Sequence, residues 1–361
     1  MTLSLSLLDD PERLPIEWDD LVGQMAHPSP FLRRWWLSSV PQGTPAIVLI
    51  RRGGRLIGGA AFETDHVGPE AVGITRVRCL GQGSLAPDHL DVVSRPADTD
   101  EVTGAVIAWL RGSGARIIDL DGLAADGSLA RALRPFITER TSAPWASLSD
   151  GADAYLSDRP GTLRSTVSRT TKRLIKAGAT IGAVDATGED DAARTRARRA
   201  LADLHRLHDQ RWAAESGFLD AWPRFHAAAM VGLASGDVVI SQVVASDGTV
   251  VATELDLRCG DVVAFYQAGR STDREWRGAG SALRADIIGR CAAAGATEYD
   301  MLRGDESYKA DWATGSRELV RVRFGVGTSG RALHRAAVAW RRCAPRVQQA
   351  RQLAHSRLSR P

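Results

Sequence analysis

The sequence predicts an α/β protein built of mixed β-sheets flanked by helices and divided into two halves. Three observations predict it. The first 155 residues alternate strand-like and helix-like segments. From position 237 onward three strand-like runs are followed by a helix, a strand, a polar helix and a last strand. Between these regions Pro160-Gly161 breaks the chain. At 361 residues the chain is long for one hydrophobic core and comfortable for two.

Each element has its own signal. Residues 17–25 (EWDDLVGQM) read as a helix. Residues 46–64 (AIVLIRRGGRLIGGAAFET) predict a hairpin that turns at Gly53-Gly54 between aliphatic runs. Residues 73–83 add a third strand ending in glycines. Residues 99–114 set Val102, Val106, Trp109 and Leu110 at helical spacing, and Gly112 and Gly114 end that helix. Residues 115–123 (ARIIDLDGL) follow as a buried strand. Past the break, 163–178 is a strongly basic helix closed by Gly178, and 179–184 is a short strand. Helices are predicted over 190–214 and 221–236, the second with Pro223 near its start and Gly236 at its end. Strands 237–246, 249–259 and 261–270 turn at Asp247-Gly248 and Gly260-Asp261. Helix 280–295 and strands 297–303 and 317–327 complete the pattern. Residues 331–355 predict a basic amphipathic helix with Leu333, Ala337, Trp340, Ala344 and Val347 on one face, docked on the body and not a nucleic-acid arm. The expected division is 1–155, 156–330 and a C-terminal helix, 331–361.

Charge and cysteines narrow the class. The net charge of +3 hides an asymmetry: eight Arg and no acid follow position 330, so the first 330 residues carry −5 (+3 minus +8). Cys79, Cys259, Cys291 and Cys343 are dispersed without a CxxC pair, which predicts reduced thiols and no metal site. No run approaches the roughly 20 apolar residues that span a bilayer. The start of the chain lacks the basic n-region of a signal peptide. The expectation is a soluble, cytoplasmic protein.

One stretch concentrates chemistry. In GATEYDMLRGDESYKADWATG (295–315) charged and aromatic residues crowd together, with two of the four tyrosines, Tyr299 and Tyr308, and one of the chain's three lysines, Lys309. The others, Lys172 and Lys176, lie in the basic helix, and Arg carries positive charge elsewhere. Strand alternation sends Tyr299 and Met301 to one face and Asp300 and Leu302 to the other. Upstream, REWRGAGSALRADI (274–287) puts glycines at the start of a helix. Such a loop either cradles a pyrophosphate on backbone N–H groups or is only a tight strand-to-helix turn.

The order of elements from 237, with that glycine loop, resembles the Gcn5-related N-acyltransferase (GNAT) superfamily. More closely, LHRLHDQRWAAESGF (204–218), RFHAAAM (224–230), FYQAGRSTDREWRGAGSAL (265–283) and EYDMLRGDESYKADWAT (298–314) resemble the BioF2-like acyltransferases, which include CelD-type proteins of cellulose and exopolysaccharide gene clusters. WDDLVGQMAHPSPFLRRWWLSSV (18–40) and CLGQGSLAPDHLDVV (79–93) resemble that family's first domain less sharply. The resemblance implies two GNAT-like domains and transfer of an acyl group, acetyl above all, from acyl-CoA to an amine or hydroxyl of a small molecule or glycan precursor. It implies acyl-CoA contacts from Arg277, Gly278, Gly280 and Ser281, with Tyr266 and Gln267 on the preceding strand. Tyr308 is then the general acid that protonates the leaving thiolate, with Lys309 beside it and Asp300 as a base candidate along with Asp305 and Glu306. The sequence departs from the GNAT loop at Glu275, where Gln or Arg is expected; Arg277 is the substitute charge.

Plainer roles stand beside these. Tyr308 and Lys309 brace the last helix, and Asp300 pairs with Arg303 or Lys309. His205 and His208 pack, having no third ligand. Lys172 and Lys176 form a solvated face or meet a CoA 3′-phosphate or tRNA. The Gly81/Gly83 loop with Asp88, His89 and Asp91 is a second candidate for the acceptor cleft. Two other functions fit the same resemblance: Fem-type peptidyl transfer from aminoacyl-tRNA, and a catalytically inert binding module.

Overall fold

The structure, a computed structural model, describes residues 2–67, 73–212 and 217–339. Its centre is one 13-stranded mixed sheet. The first half contributes β1 (Leu3–Leu8), β2 (Thr44–Arg52), β3 (Arg55–Val67), β4 (Ile74–Cys79), β5 (Val93–Ser94), β6 (Arg116–Ala124) and β7 (Ile137–Ser147). Its helices are α1 (Glu17–Gly23), α2 (Arg34–Leu37), α3 (Thr99–Leu110), α4 (Ser128–Ala132) and α5 (Ala152–Ser157). The second half adds α6 (Gly161–Lys176), β8 (Thr180–Ala183), α7 (Asp191–Trp212), α8 (Trp222–Ser235), β9 (Val238–Val244), β10 (Val250–Cys259) and β11 (Val262–Arg270). It ends with α9 (Ala279–Ala293), β12 (Glu298–Asp300), α10 (Ser307–Ala310) and β13 (Gly315–Val326).

The two halves repeat one plan that exact sequence matching does not reveal. In each, three antiparallel strands lead through a helix to a strand parallel to the third: β4 with β6, and β11 with β12. A helical crossover is what a parallel neighbour requires. The final strands are then exchanged. β13, from the end of the chain, pairs with β6 of the first half, and β7 of the first half pairs with β12 of the second. β7 and β13 pair with each other at the centre, fusing both sheets. Neither half therefore completes its sheet from its own sequence. β7 (ITERTSAPWAS) has no clear alternation and a proline, so it is not read as a strand from sequence. It is held by ladders on both sides.

Apolar side chains fill both faces. One core joins α1–α3 and α8 to the sheet through Trp18, Trp36, Phe62 and Phe225. The other packs α6 and α9 over Val263, Tyr299 and Met301. The alternation expected on β12 is present: Tyr299 and Met301 point to the α9 side, and Leu302 joins the opposite core. The strand itself is shorter than 297–303 and stops at Asp300, where Leu302 takes a φ of +54°. A helix runs over 327–339 after β13; Trp340, Ala344 and Val347 of the expected tail helix lie outside the described residues. Among the described residues no helix is long and apolar enough to cross a membrane.

Candidate active site

β11 and β12 are joined only over Val262–Ala264 and Glu298–Asp300. Beyond that, β11 runs on along β10 to Arg270 while the other chain turns away, and the sheet opens into a V. A bulge on β11 sharpens the opening, because Leu255 faces Gln267 and Asp256 faces Phe265, leaving Tyr266 as the extra residue. A cavity of about 880 Å³ fills the V, walled by α6, β10, β11, α9 and α10. That is ample for a cofactor-sized ligand.

The cavity wall begins at the loop between β11 and α9. Gly278 has a φ of +86°, and a Cβ there would strike Thr170 Oγ1 at 2.8 Å, so glycine is required. At Gly280 a Cβ would meet only Arg270 Cδ, at 3.8 Å, leaving open space toward the cavity. Gly278, Gly280 and Ser281 line the cavity, and the first-turn N–H groups of a 15-residue helix start there. Arg169 and Arg173 of α6, Arg270, Arg274 and Arg277 add positive charge. Arg173 donates to the Arg277 carbonyl, which fixes the loop against α6. Glu275 is exposed and is not part of the cavity wall, whereas Arg277 is, so the departure at position 275 puts no carboxylate at the helix start.

The inner end holds a chain of buried polar groups. Arg284 Nε and Nη2 donate to the two carboxylate oxygens of Glu254, at 3.3 and 2.9 Å. Tyr299 donates to Glu254 Oε1 at 2.5 Å and lies 3.1 Å from Asp256 Oδ1. Burial works against charge on Arg284, but Glu254 outweighs it and the net shift is upward. Burial, reinforced by the Glu254 charge, raises the Asp256 pKa well above the carboxylate range. The Arg284 guanidinium stacks 3.9 Å over Phe265 and lies 5.4 Å from the Tyr308 ring. Burial raises the Tyr308 phenol, and Arg284 pulls part of that shift back. Thr253 Oγ1, buried on the cavity wall, has no hydrogen-bond partner among the described residues.

The residues expected from sequence separate into two groups. Tyr308 lines the cavity with Arg277, Gly278, Gly280 and Ser281. The segment that follows it is held from the first half, where Tyr155 of α5 donates to the Trp312 carbonyl at 2.5 Å and Arg159, just past α5, donates to the Ala313 carbonyl at 2.6 Å. Lys309 points away from the cavity. Its amine is buried, donates to the Arg303 carbonyl at 2.7 Å, and pairs with Glu306 at 3.0 Å. The cation facing Tyr308 is Arg284, not Lys309. Tyr266 turns to the other face, bonds the Leu85 carbonyl at 2.7 Å and packs among Phe31, Trp36 and Phe225; neither it nor Gln267 is on the cavity wall.

Asp300 also faces away, toward the first half. Its carboxylate accepts from Leu302 N at 2.7 Å and lies 2.8 Å from His89 Nε2. Beside it Asp88 holds Arg303 at 2.5 Å, and Arg303 reaches Asp121 at 3.1 Å. Asp91 accepts from Ser128 N and Leu129 N and caps α4. The loop read as a candidate acceptor cleft is thus bonded to strand ends and helix starts. Ala86, His89 and Leu302, the non-glycine residues with positive φ among the described residues, all lie at this junction. The sequence reading missed Glu254, Phe265 and Arg284. The signal was present: two acids at i and i+2 in the apolar strand TVVATELDLRC need buried partners.

A three-strand meander, a glycine loop opening a helix, and a cleft where the fourth and fifth strands part define the GNAT acyltransferase fold. Residues 162–310 match the acetyltransferase (GNAT) domain family, so the second half of the chain carries a GNAT domain. Solved structures similar over nearly the whole length support the fold. FemX has a TM-score of 0.60 at 13% identity, covering 89% of this chain and 97% of its own. The C-terminal domain of a putative lysylphosphatidylglycerol synthetase from Agrobacterium fabrum has 0.53 at 11%, covering 90% and 96%. L-PGS from Bacillus licheniformis has 0.51 at 12%, covering 87% and 92%. No curated protein is similar enough in sequence to count as a relative.

Proposed function

We propose that the chain transfers an acyl group, acetyl in the simplest case, from an acyl-CoA thioester to an amine or hydroxyl acceptor. The observation that carries this is the V between β11 and β12, with the start of α9 and Arg169, Arg173, Arg270, Arg274 and Arg277 among the arginines on its wall. Free N–H groups, a glycine that leaves room at 280, and arginines from two elements suit a pyrophosphate. The acceptor class, a small molecule or glycan precursor, follows from the resemblance of residues 200–325 to BioF2-like and CelD-type proteins.

In this reading Tyr308 keeps its proton at neutral pH and gives it to the thiolate as the C–S bond breaks. Arg284 beside it stabilises the negative charge that builds there. The acceptor's proton goes to a carboxylate as the new C–N or C–O bond forms. Asp311, three residues beyond Tyr308 and on the same wall, is open to take it. Glu254 is bound on both oxygens and is suited to hold Arg284; Asp300 is engaged with His89 and off the wall. Calorimetry with acetyl-CoA tests the site. Gly280→Asp puts a carboxylate at the phosphate position and should weaken binding at least tenfold, about 1.4 kcal/mol, with melting unchanged. Equal binding by the variant removes the assignment. Salt-sensitive binding of tRNA without acetyl-CoA binding would favour the aminoacyl-tRNA reading.

A further inference from the structure

The outer face of α6 has chemistry that the cavity does not use. Leu163, Thr166, Arg169, Thr170 and Arg173 look into the cavity, and Leu174 is buried under the helix. Successive residues turn by about 100°, which places Lys176, Lys172, Ile175 and Arg164 in order round the side next to Arg169 and Arg173. All four are exposed, Ile175 at 63%. The 16-residue helix contains no acid, and none of its five basic side chains is in an ion pair among the described residues. Two of the chain's three lysines are here. The result is an uncompensated basic face with one large apolar side chain in it, continuous with the mouth of the cavity.

We infer that this face docks the acidic surface of an acyl carrier protein, a donor whose thioester arm enters the same cavity. The inference rests on the cavity being a thioester site. The partner's chemistry follows from the patch. Like charges left unpaired at a rim speed and select an oppositely charged partner. An exposed isoleucine is rewarded only by an apolar recess in that partner. Single-stranded nucleic acid is bound with aromatic stacking, and residues 161–178 contain no aromatic. A bilayer needs a broad apolar helix face, and the apolar side of α6 is already packed on α9, leaving Ile175 alone. A phosphopantetheine arm ends in the same thioester as CoA and carries a phosphate for the start of α9, so one cavity serves both donors.

The experiment compares the whole chain with a K172E/K176E variant and with I175S; none of these residues lines the cavity. Binding is measured for an acetylated bacterial acyl carrier protein and for acetyl-CoA, at low and at raised salt. The carrier protein should bind the wild type in a salt-dependent way and lose roughly tenfold or more in the charge-reversal variant. I175S should lose severalfold at all salt concentrations. Acetyl-CoA affinity should change less than about twofold in both. Equal loss for both donors would make the face part of the CoA site and overturn the inference. So would acetyl-CoA binding without carrier-protein binding, or variant-sensitive binding of phosphatidylglycerol-containing vesicles or of tRNA in its place. Binding of neither thioester would instead remove the reading of the cavity itself.

Discussion

Breaking the Glu254–Arg284 pair should destabilise the protein far more than removing both partners. The two side chains are only 2% and 8% exposed, and among the described residues no second carboxylate bonds the guanidinium. Glu254→Gln leaves a buried cation facing a neutral amide and weakens the acceptor for Tyr299. Leaving one member of a buried pair uncompensated costs about 3–5 kcal/mol, a large part of the ~5–15 kcal/mol that holds a domain together. The amide oxygen still accepts one bond, which places this variant at about 3 kcal/mol. The combined Glu254→Leu/Arg284→Met change removes both charges at similar volume and leaves Tyr299 its contact with Asp256. Its loss should be within about 1–2 kcal/mol of wild type. Urea unfolding of wild type, Glu254→Leu, Arg284→Met and the double variant gives the coupling energy directly. Turnover should not return with stability in the double variant, because Tyr308 has lost the cation beside it. A cost below about 1 kcal/mol for Glu254→Gln, or additive losses in the double variant, would refute the pairing as the source of stability. Full turnover in the double variant would remove Arg284 from the reaction.

Three further outcomes follow from the same geometry. Tyr308→Phe removes one hydroxyl on a partly exposed wall; it should cost less than about 1.5 kcal/mol, keep acetyl-CoA affinity, and lower turnover roughly 10²–10⁴-fold, as thiol-release kinetics will record. Lys309→Met strips the Arg303 carbonyl and Glu306 of their buried donor and should cost about 1–3 kcal/mol; turnover should fall less than with Tyr308→Phe, and the reverse order would return Lys309 to the reaction. For the His89–Asp300 pair, burial disfavours the imidazolium, but Asp300 and Asp88 outweigh it and raise the His89 pKa above 6.5, while Asp300 is lowered from 3.8. The stability from His89 is therefore complete below its ordinary value and is lost as pH rises through the raised one; that from Asp300 is lost only in acid. Melting temperature should decline from neutral into alkaline pH in wild type, and His89→Gln should flatten that decline; an unchanged slope would show that His89 carries no charge in the fold.

Local pattern sufficed for the class of this protein. Gly53-Gly54, Asp247-Gly248 and Gly260-Asp261 have one conformational use between apolar runs, the turn, and the structure turns at each. Alternation fixed which face Tyr299 and Met301 occupy, since side chains on a strand can go only two ways. The loop 277–281 was legible as glycines at a helix start, and Tyr308 was singled out by the resemblance to BioF2-like acyltransferases; both line the cavity. What sequence could not hold was partnership across the chain. β7 is a strand because β12 and β13 offer it two ladders, and those partners lie more than 150 residues away. Lys309, Asp300 and Tyr266 sit in or beside the motif-bearing segments, yet their partners are the Arg303 carbonyl, His89 and the Leu85 carbonyl. Arg284 meets Glu254 and Tyr308 only after α9 is laid over β10. A charge's role is set by what desolvates and neutralises it, and that is decided by packing between distant elements, not by spacing along the chain.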